Sequence, residues 1–401
     1  MPTQNLLPTY PRQLLPREAY INEAWLERER EQLFSRSWTF AGVVQDFANP
    51  GDVRTISAGN HSLIVVKGKD GRLRAFHNLC RHRGTELVEG NCNVGKRLVC
   101  PYHNWVYDLD GQLAGVPAQK TCFPDMDRSQ VRLHAAALGI YRDLVFVHPD
   151  ATPAEPFETW LADLDRVPWP HDLSADGLSE NSEELVYELK CNWKVFVENA
   201  LDGYHLAYLH KHTLGGPTPD KNLWEPFGRH LVWWSTERDG VKHRIPAFME
   251  AADKGWTTRA HDDDAVGYGG VYLLFPTTLL TPNPWGFSLS LLEPVDAGTT
   301  LLRVRNWAPE GRRSFSYRAK EAPGYDKVSG RIKSSAWTKH PLESGDFQTE
   351  DTWACEKVQR GLKSPRHETA FLAAGAGGEA ALAYFQQCVI DLMAEAPPSP
   401  A

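Results

Sequence analysis

Cys80-Arg81-His82-Arg83-Gly84, followed by Cys100-Pro101-Tyr102-His103-Asn104-Trp105, is the stretch on which the reading of this chain turns. Together the two loops spell C-x-H-x17-C-x2-H, and each offers one soft thiolate and one imidazole. That donor set suits tetrahedral zinc. It equally suits a two-iron cluster in which two cysteines hold one iron and two histidines the other. The neighbours tilt the choice towards iron and sulfur: Gly84 and Pro101 shape the loops, and Trp105 is placed to cover one side. Cys92 and Cys122 fall outside the pattern and read as structural residues.

The surroundings of the loops are β-rich. Short alternating runs at 52–56, 62–66 and 73–76 are separated by glycine-containing turns at 58–60 and 69–71, and 107–113 reads as a hairpin turning at Asp110-Gly111. Helical character over 18–35 precedes them. Further on, 191–210 reads as a helix, 271–275, 287–292 and 300–307 as strands, and 347–362 as a last long helix. This order predicts an α+β chain: a helical N-terminal segment over 1–40 that packs on the catalytic domain, a small antiparallel β domain over 41–155, and a catalytic domain over 156–401 with an antiparallel sheet flanked by helices. The Pro- and acid-rich stretch 151–181 is the expected connection.

A second constellation lies in the helix-like segment. Asn192-Trp193-Lys194 and Glu198-Asn199 lead into Asp202, His205 and His210, the pattern D-x2-H-x4-H. Histidines five apart stand roughly 140° apart around an ideal helix, so joint ligation requires a helix end or a bulge. The acids at the start of 347–362, Glu350 and Asp351 among them, complement a helix N-terminus whether or not one of them also binds a metal.

Taken together, these motifs resemble the Rieske non-heme iron oxygenases, specifically the catalytic alpha subunit of the aromatic-ring-hydroxylating family. Cys80–Gly84 and Cys100–Trp105 are similar to its two cluster loops, N-W-K-x3-E-N with D-x2-H-x4-H to its mononuclear iron motif, and the acidic pair before C-E-x-V-Q-R-G to its C-terminal ligand helix. The resemblance implies that Cys80 and Cys100 hold the inner iron of a [2Fe-2S] cluster and His82 and His103 the outer one. It implies a mononuclear Fe(II) on His205, His210 and a carboxylate, Asp351 with Glu350 as the alternative, and it places Asp202 and Asn199 in the catalytic machinery. Asp202 is there the bridge that links a Rieske histidine of one subunit to an iron-ligating histidine of the next. The one departure in the loops is Asn104, where the family usually has Gly; Asn is the residue that best tolerates the left-handed backbone required there.

The resemblance further implies O2 as co-substrate, NAD(P)H supplying electrons through a reductase with or without a ferredoxin, and a homotrimer or a multiple of three. It leads to hydroxylation of a small aromatic substrate, as in the breakdown of aromatic hydrocarbons, with oxidative demethylation or monooxygenation of a quaternary ammonium or methoxy compound as the alternative. Asp202 leans towards the first, since relatives acting on quaternary ammonium compounds more often carry Glu there. Phe196, Phe227, Leu231, Trp233, Tyr272 and Phe275 are candidates for an apolar substrate pocket, and each is also a fair core residue. The rival reading from another class is a non-catalytic iron-sulfur carrier in which the first motif alone functions.

Composition sets the outer limits. A net charge of -8 argues against nucleic acid and anionic membranes as partners and leaves a small organic molecule. No run approaches the ~18 apolar residues that span a bilayer, and the N-terminus lacks the apolar core of a secretion signal, so a cytoplasmic protein is expected. Seven cysteines scattered over 401 residues do not form a disulfide framework.

Overall fold

The computed structural model describes residues 12–162, 164, 173, 177–180, 184–214, 222–235, 270–283, 286–308, 319–374 and 379–394. Much of the expected connection at 151–181 lies outside them. The chain forms two compact units, Arg28–Trp160 and Met1–Glu27 with Leu161–Pro398. The division falls inside a helix, Glu23–Gln32. The single helical run expected over 18–35 is broken at Asn22, whose backbone is extended and whose Oδ1 accepts the Ala24 N–H at 2.8 Å. An asparagine that caps a new helix start is a stop for the preceding one.

In the Arg28–Trp160 unit, seven strands pair in the order Thr39–Val43, Leu144–His148, Ala135–Tyr141, Leu73–His77, His61–Lys67, Asp52–Ala58 and Cys92–Asn93. All the pairings are antiparallel. The His61–Lys67 strand is buried on both faces. Leu63 and Val65 join Ala41, Phe47 and Val145 in one core, while Ile64 and Val66 point the other way, joining Phe76, Leu98, Trp105, Tyr107 and the two loop cysteines. The cysteine loops are therefore built onto a packed face of the sheet. A small sheet of Arg97–Val99, Val106–Asp108 and Leu113–Gly115 carries the second loop, and its hairpin turns at Asp110-Gly111, with Gly111 at φ +88°.

The other unit holds a ten-stranded sheet whose longest strands, Gly286–Asp296 and Thr299–Ala308, pair along their length. It is antiparallel except where Leu185–Leu189 runs parallel to Arg331–Lys333. The helices Trp193–Leu201, Phe347–Leu362 and Ala380–Ala394 accompany it. The last of these has no counterpart among the expected elements, and the stretch 373–383 at its start is rich in Ala and Gly. Its buried Leu382, Phe385, Val389 and Leu392 nevertheless recur at helical spacing. Among the described residues no helix is long and apolar enough to cross a membrane.

Candidate metal centres

The two cysteine loops are built alike. In each, the cysteine carbonyl accepts an N–H four residues on, Cys80 O from Gly84 at 2.9 Å and Cys100 O from Asn104 at 3.0 Å. The cysteine N–H in turn donates to a carbonyl five residues on, Thr85 O at 2.9 Å and Trp105 O at 2.8 Å. This double closure needs a left-handed residue at the fourth position. Gly84 has φ +78° and Asn104 φ +54°, so Asn104 occupies the place of a glycine without altering the loop.

The closed loops bring Cys80, Cys100, His82 and His103 to one place. The two imidazole centroids are 4.6 Å apart, and Trp105 stacks on His82 at 4.9 Å with the planes 7° from parallel. Nδ1 of His82 and Nδ1 of His103 are both buried and lack any hydrogen-bond partner among the described residues. Buried imidazole nitrogens are seldom left so; two of them beside two buried thiols fit a metal cluster that takes one bond from each. Residues that sequence reasoning passed over hold this arrangement. The Tyr107 hydroxyl stands 3.3 Å from Cys80 Sγ and accepts the Arg81 N–H at 3.0 Å. Buried Asn78 accepts the N–H groups of Leu87 and Val88 and donates to Val88 O at 2.8 Å, pinning the chain after the first loop. Neither residue belongs to a recognisable motif.

In the other unit the helix expected over 191–210 is not continuous. It runs over Trp193–Leu201, stops at Asp202 with an extended backbone, and resumes as the single turn Leu206–Leu209. Asn192 caps the first helix by accepting Lys194 N–H, and the Trp233 indole N–H donates to Ala200 O at 2.6 Å at its end. His205 and His210 flank the short turn, so the helix break removes the 140° mismatch and lets both rings face Asp351 on the Phe347–Leu362 helix.

The three donor atoms form a triangle. Nε2 of His205 and Nε2 of His210 are 3.2 Å apart, and Asp351 Oδ1 lies 3.0 Å from His210 Nε2 and 3.5 Å from His205 Nε2. Neighbouring ligands of an octahedral cation bonded at about 2.1 Å stand about 3 Å apart, so the set fits a facial two-histidine, one-carboxylate centre. Burial disfavours the imidazolium of His205, yet the carboxylates of Asp202 and Asp351 overcome it and raise the pKa to about 10; His210 is raised too, by Asp351 and Glu350. Burial likewise works against the Asp351 carboxylate, but the two histidines hold its pKa well below the usual range. Such a pocket attracts positive charge, whether protons or a metal ion.

Around the triangle, Asn199 Nδ2 donates to Asp351 Oδ1 at 3.3 Å. Asp202 Oδ2 lies 3.2 Å from His205 Nδ1, and its Oδ1 accepts Tyr204 N–H at 2.6 Å. Glu350, the alternative ligand, stands behind His210 with its Oε2 2.7 Å from Nδ1, on the ring edge away from Asp351. The six pocket candidates are all buried. Phe275 packs against Phe385, which also meets Trp193, and this group is core. Trp233 bonds to the end of the Trp193–Leu201 helix.

Two family models match the chain, one over each unit. A model of the Rieske [2Fe-2S] domain matches residues 37–134, and the model of the ring-hydroxylating alpha subunit catalytic domain matches residues 178–395. The chain belongs to the ring-hydroxylating alpha-subunit family and is a Rieske non-heme iron oxygenase, an oxidoreductase that incorporates oxygen from O2. It is 26% identical over 356 residues to the carnitine monooxygenase oxygenase subunit of Acinetobacter pittii, covering 87% of this chain and 85% of that one. A quaternary ammonium Rieske monooxygenase, whose structure bears on carnitine oxidation and inter-subunit electron transfer in that enzyme, superposes with TM-score 0.70 at 22% identity, covering 94% of both chains. Naphthalene 1,2-dioxygenase superposes with TM-score 0.72 at 20% identity, over 94% of this chain and 92% of that one.

Proposed function

We propose that the chain is the oxygenase component of a monooxygenase acting on a small quaternary ammonium compound. Cys80, His82, Cys100 and His103 hold the [2Fe-2S] cluster, and His205, His210 and Asp351 hold the mononuclear Fe(II). When bound, these groups supply single-electron transfer and O2 activation, drawing on NAD(P)H through a reductase, with or without a ferredoxin. The chain's own residues then do the following. Asp351 supplies one anionic donor, which Asn199 orients. Asp202 holds His205 by its Nδ1, and its remaining hydrogen-bonding capacity reaches a Rieske histidine of a second copy in a homotrimer.

The observation that carries the substrate class is charge. Asp202, Glu350 and Asp351 crowd the two histidines; with both imidazoles neutral, three carboxylates against a divalent cation leave a formal surplus of one negative charge. A permanently cationic substrate is attracted to that surplus and a benzoate-like anion is repelled. The carnitine monooxygenase relative, matched over most of its length, supports the same class. A second reading, hydroxylation of an uncharged aromatic ring, is favoured by Asp202 standing at the bridge and by the likeness in fold to naphthalene 1,2-dioxygenase. Oxygen uptake with a generic reductase decides between them. Carnitine, γ-butyrobetaine and glycine betaine are offered beside naphthalene and benzoate, and the products are identified by mass. Substrate-dependent uptake with the quaternary ammonium compounds supports the proposal; turnover of the aromatic compounds alone overturns it.

A further inference from the structure

We infer that Glu350 is a positioning residue for the iron centre: it fixes the tautomer and the ring plane of His210 from behind, and Thr213 fixes Glu350. The inference rests on the reading of His205, His210 and Asp351 as the iron ligands. An imidazole can present either nitrogen to a metal, and the hydrogen bond made by the other nitrogen decides which. For His210 that bond runs from Nδ1–H to Glu350 Oε2 at 2.7 Å, which leaves the lone pair on Nε2, the atom that faces Asp351 and His205. A carboxylate accepts here, so of the two neutral tautomers the one with its proton on Nδ1 makes this bond. The Thr213 hydroxyl donates to the same Oε2 at 2.6 Å, and Thr213 N–H donates to His210 O at 3.0 Å, so one tight turn carries both the imidazole and the group that braces it.

The two histidines are thus held by carboxylates in different settings. Asp202, behind His205, keeps 15% of its side chain exposed and is free to meet a further partner. Glu350 is 1% exposed and closes on Thr213 inside the unit. Its position on the far edge of His210 also separates it from Asp351, its neighbour in sequence, in role: a donor atom that bonds Nδ1 is turned away from the triangle.

The test uses the full chain with its cluster. Glu350→Gln lets an amide N–H face Nδ1 and admits the wrong tautomer, so Fe(II) affinity should fall ten- to a hundredfold while the cluster spectrum stays unchanged. The nitric oxide adduct of the remaining ferrous iron should show an altered electron paramagnetic resonance (EPR) line shape, which a merely space-filling role would not produce. Thr213→Val leaves the carboxylate in place and should give a smaller loss in the same direction; it decides the matter if Glu350→Gln does not fold. Asp351→Ala separates the two readings. If that variant keeps its iron, the ligand assignment is wrong; if it loses iron while Glu350→Gln and Thr213→Val bind Fe(II) as the unaltered protein does, the role given to Glu350 is overturned.

Discussion

Glu350 and Asp351 are adjacent in the chain yet address opposite nitrogens of one imidazole: Asp351 Oδ1 lies 3.0 Å from His210 Nε2, and Glu350 Oε2 lies 2.7 Å from its Nδ1. Successive helical residues are about 100° apart around the axis, enough for one to enter the triangle and the other to pass behind the ring. The same architecture repeats at His205 with Asp202, whose Oδ2 lies 3.2 Å from Nδ1.

His205 supplies one corner of the triangle and takes no part in the Rieske unit. Its replacement by Ala should abolish turnover and reduce the mononuclear iron to a small fraction, with the visible spectrum of the [2Fe-2S] cluster intact. Metal analysis beside the absorption spectrum checks both halves; loss of the cluster as well would contradict the separation of the two centres.

Asp202 contacts Nδ1 of His205 and has a partly exposed side chain. With the mononuclear site saturated with Fe(II), Asp202→Asn should slow oxidation of the reduced cluster in a single turnover by at least ten- to a hundredfold. Stopped-flow absorbance reads that rate directly, and an undiminished rate would refute the bridging role.

Asn104 stands at φ +54° where its loop needs a left-handed residue. Asn104→Gly should therefore keep the cluster to the same temperature, whereas Asn104→Val, with a β-branched side chain in that region, costs about 1–2 kcal/mol or more and should bleach earlier on heating. Thermal loss of the visible absorbance distinguishes them; equal melting of the Gly and Val variants would mean that the loop does not depend on this conformation.

Glu198, in the Trp193–Leu201 helix, accepts hydrogen bonds from Tyr20 Oη at 2.6 Å and Gln386 Nε2 at 2.9 Å. Burial pushes its carboxyl up to about 7, outweighing those bonds and the attraction of Lys194. The folded state therefore holds a proton that the unfolded chain releases near pH 4.5, so the stabilisation is fullest at the acid end, is lost as pH rises through about 4.5 to 7, and is level above that. The span is at most ~3 kcal/mol. Glu198→Gln lacks this slope, so its melting temperature should gain on that of the unaltered protein between pH 5 and pH 8. Parallel pH profiles for the two proteins would contradict the shift.

The sequence is most legible where chemistry needs a fixed residue type at a fixed spacing. Cys80, His82, Cys100, His103, His205, His210 and Asp351 are all found within motifs, because ligand identity and loop length are written locally. Residues that act by reaching across the fold are not legible in this way. Tyr107 reaches Cys80 over 27 positions and Thr213 reaches Glu350 over 137, and nothing near Tyr107 or Thr213 in the chain marks the partner. The break after Leu201 was visible only as a geometric necessity, since five-residue spacing demanded some irregularity without saying where. The Ala380–Ala394 helix was hidden by the Gly-rich run before it, although its own apolar spacing carries the signal. The sequence leaves Glu350 and Asp351 as alternatives, because adjacent acids on a helix cannot be told apart until their partners are placed.

The most direct test of the account as a whole is EPR of anaerobically purified, dithionite-reduced protein, with iron and acid-labile sulfide counted on the same sample. The account predicts a reduced [2Fe-2S] signal with an average g below the free-electron value, and one iron per chain beyond those of the cluster that His205→Ala removes. A colourless protein carrying zinc on the cysteine-histidine loops, or a cluster with no further iron in the unaltered chain, would contradict it.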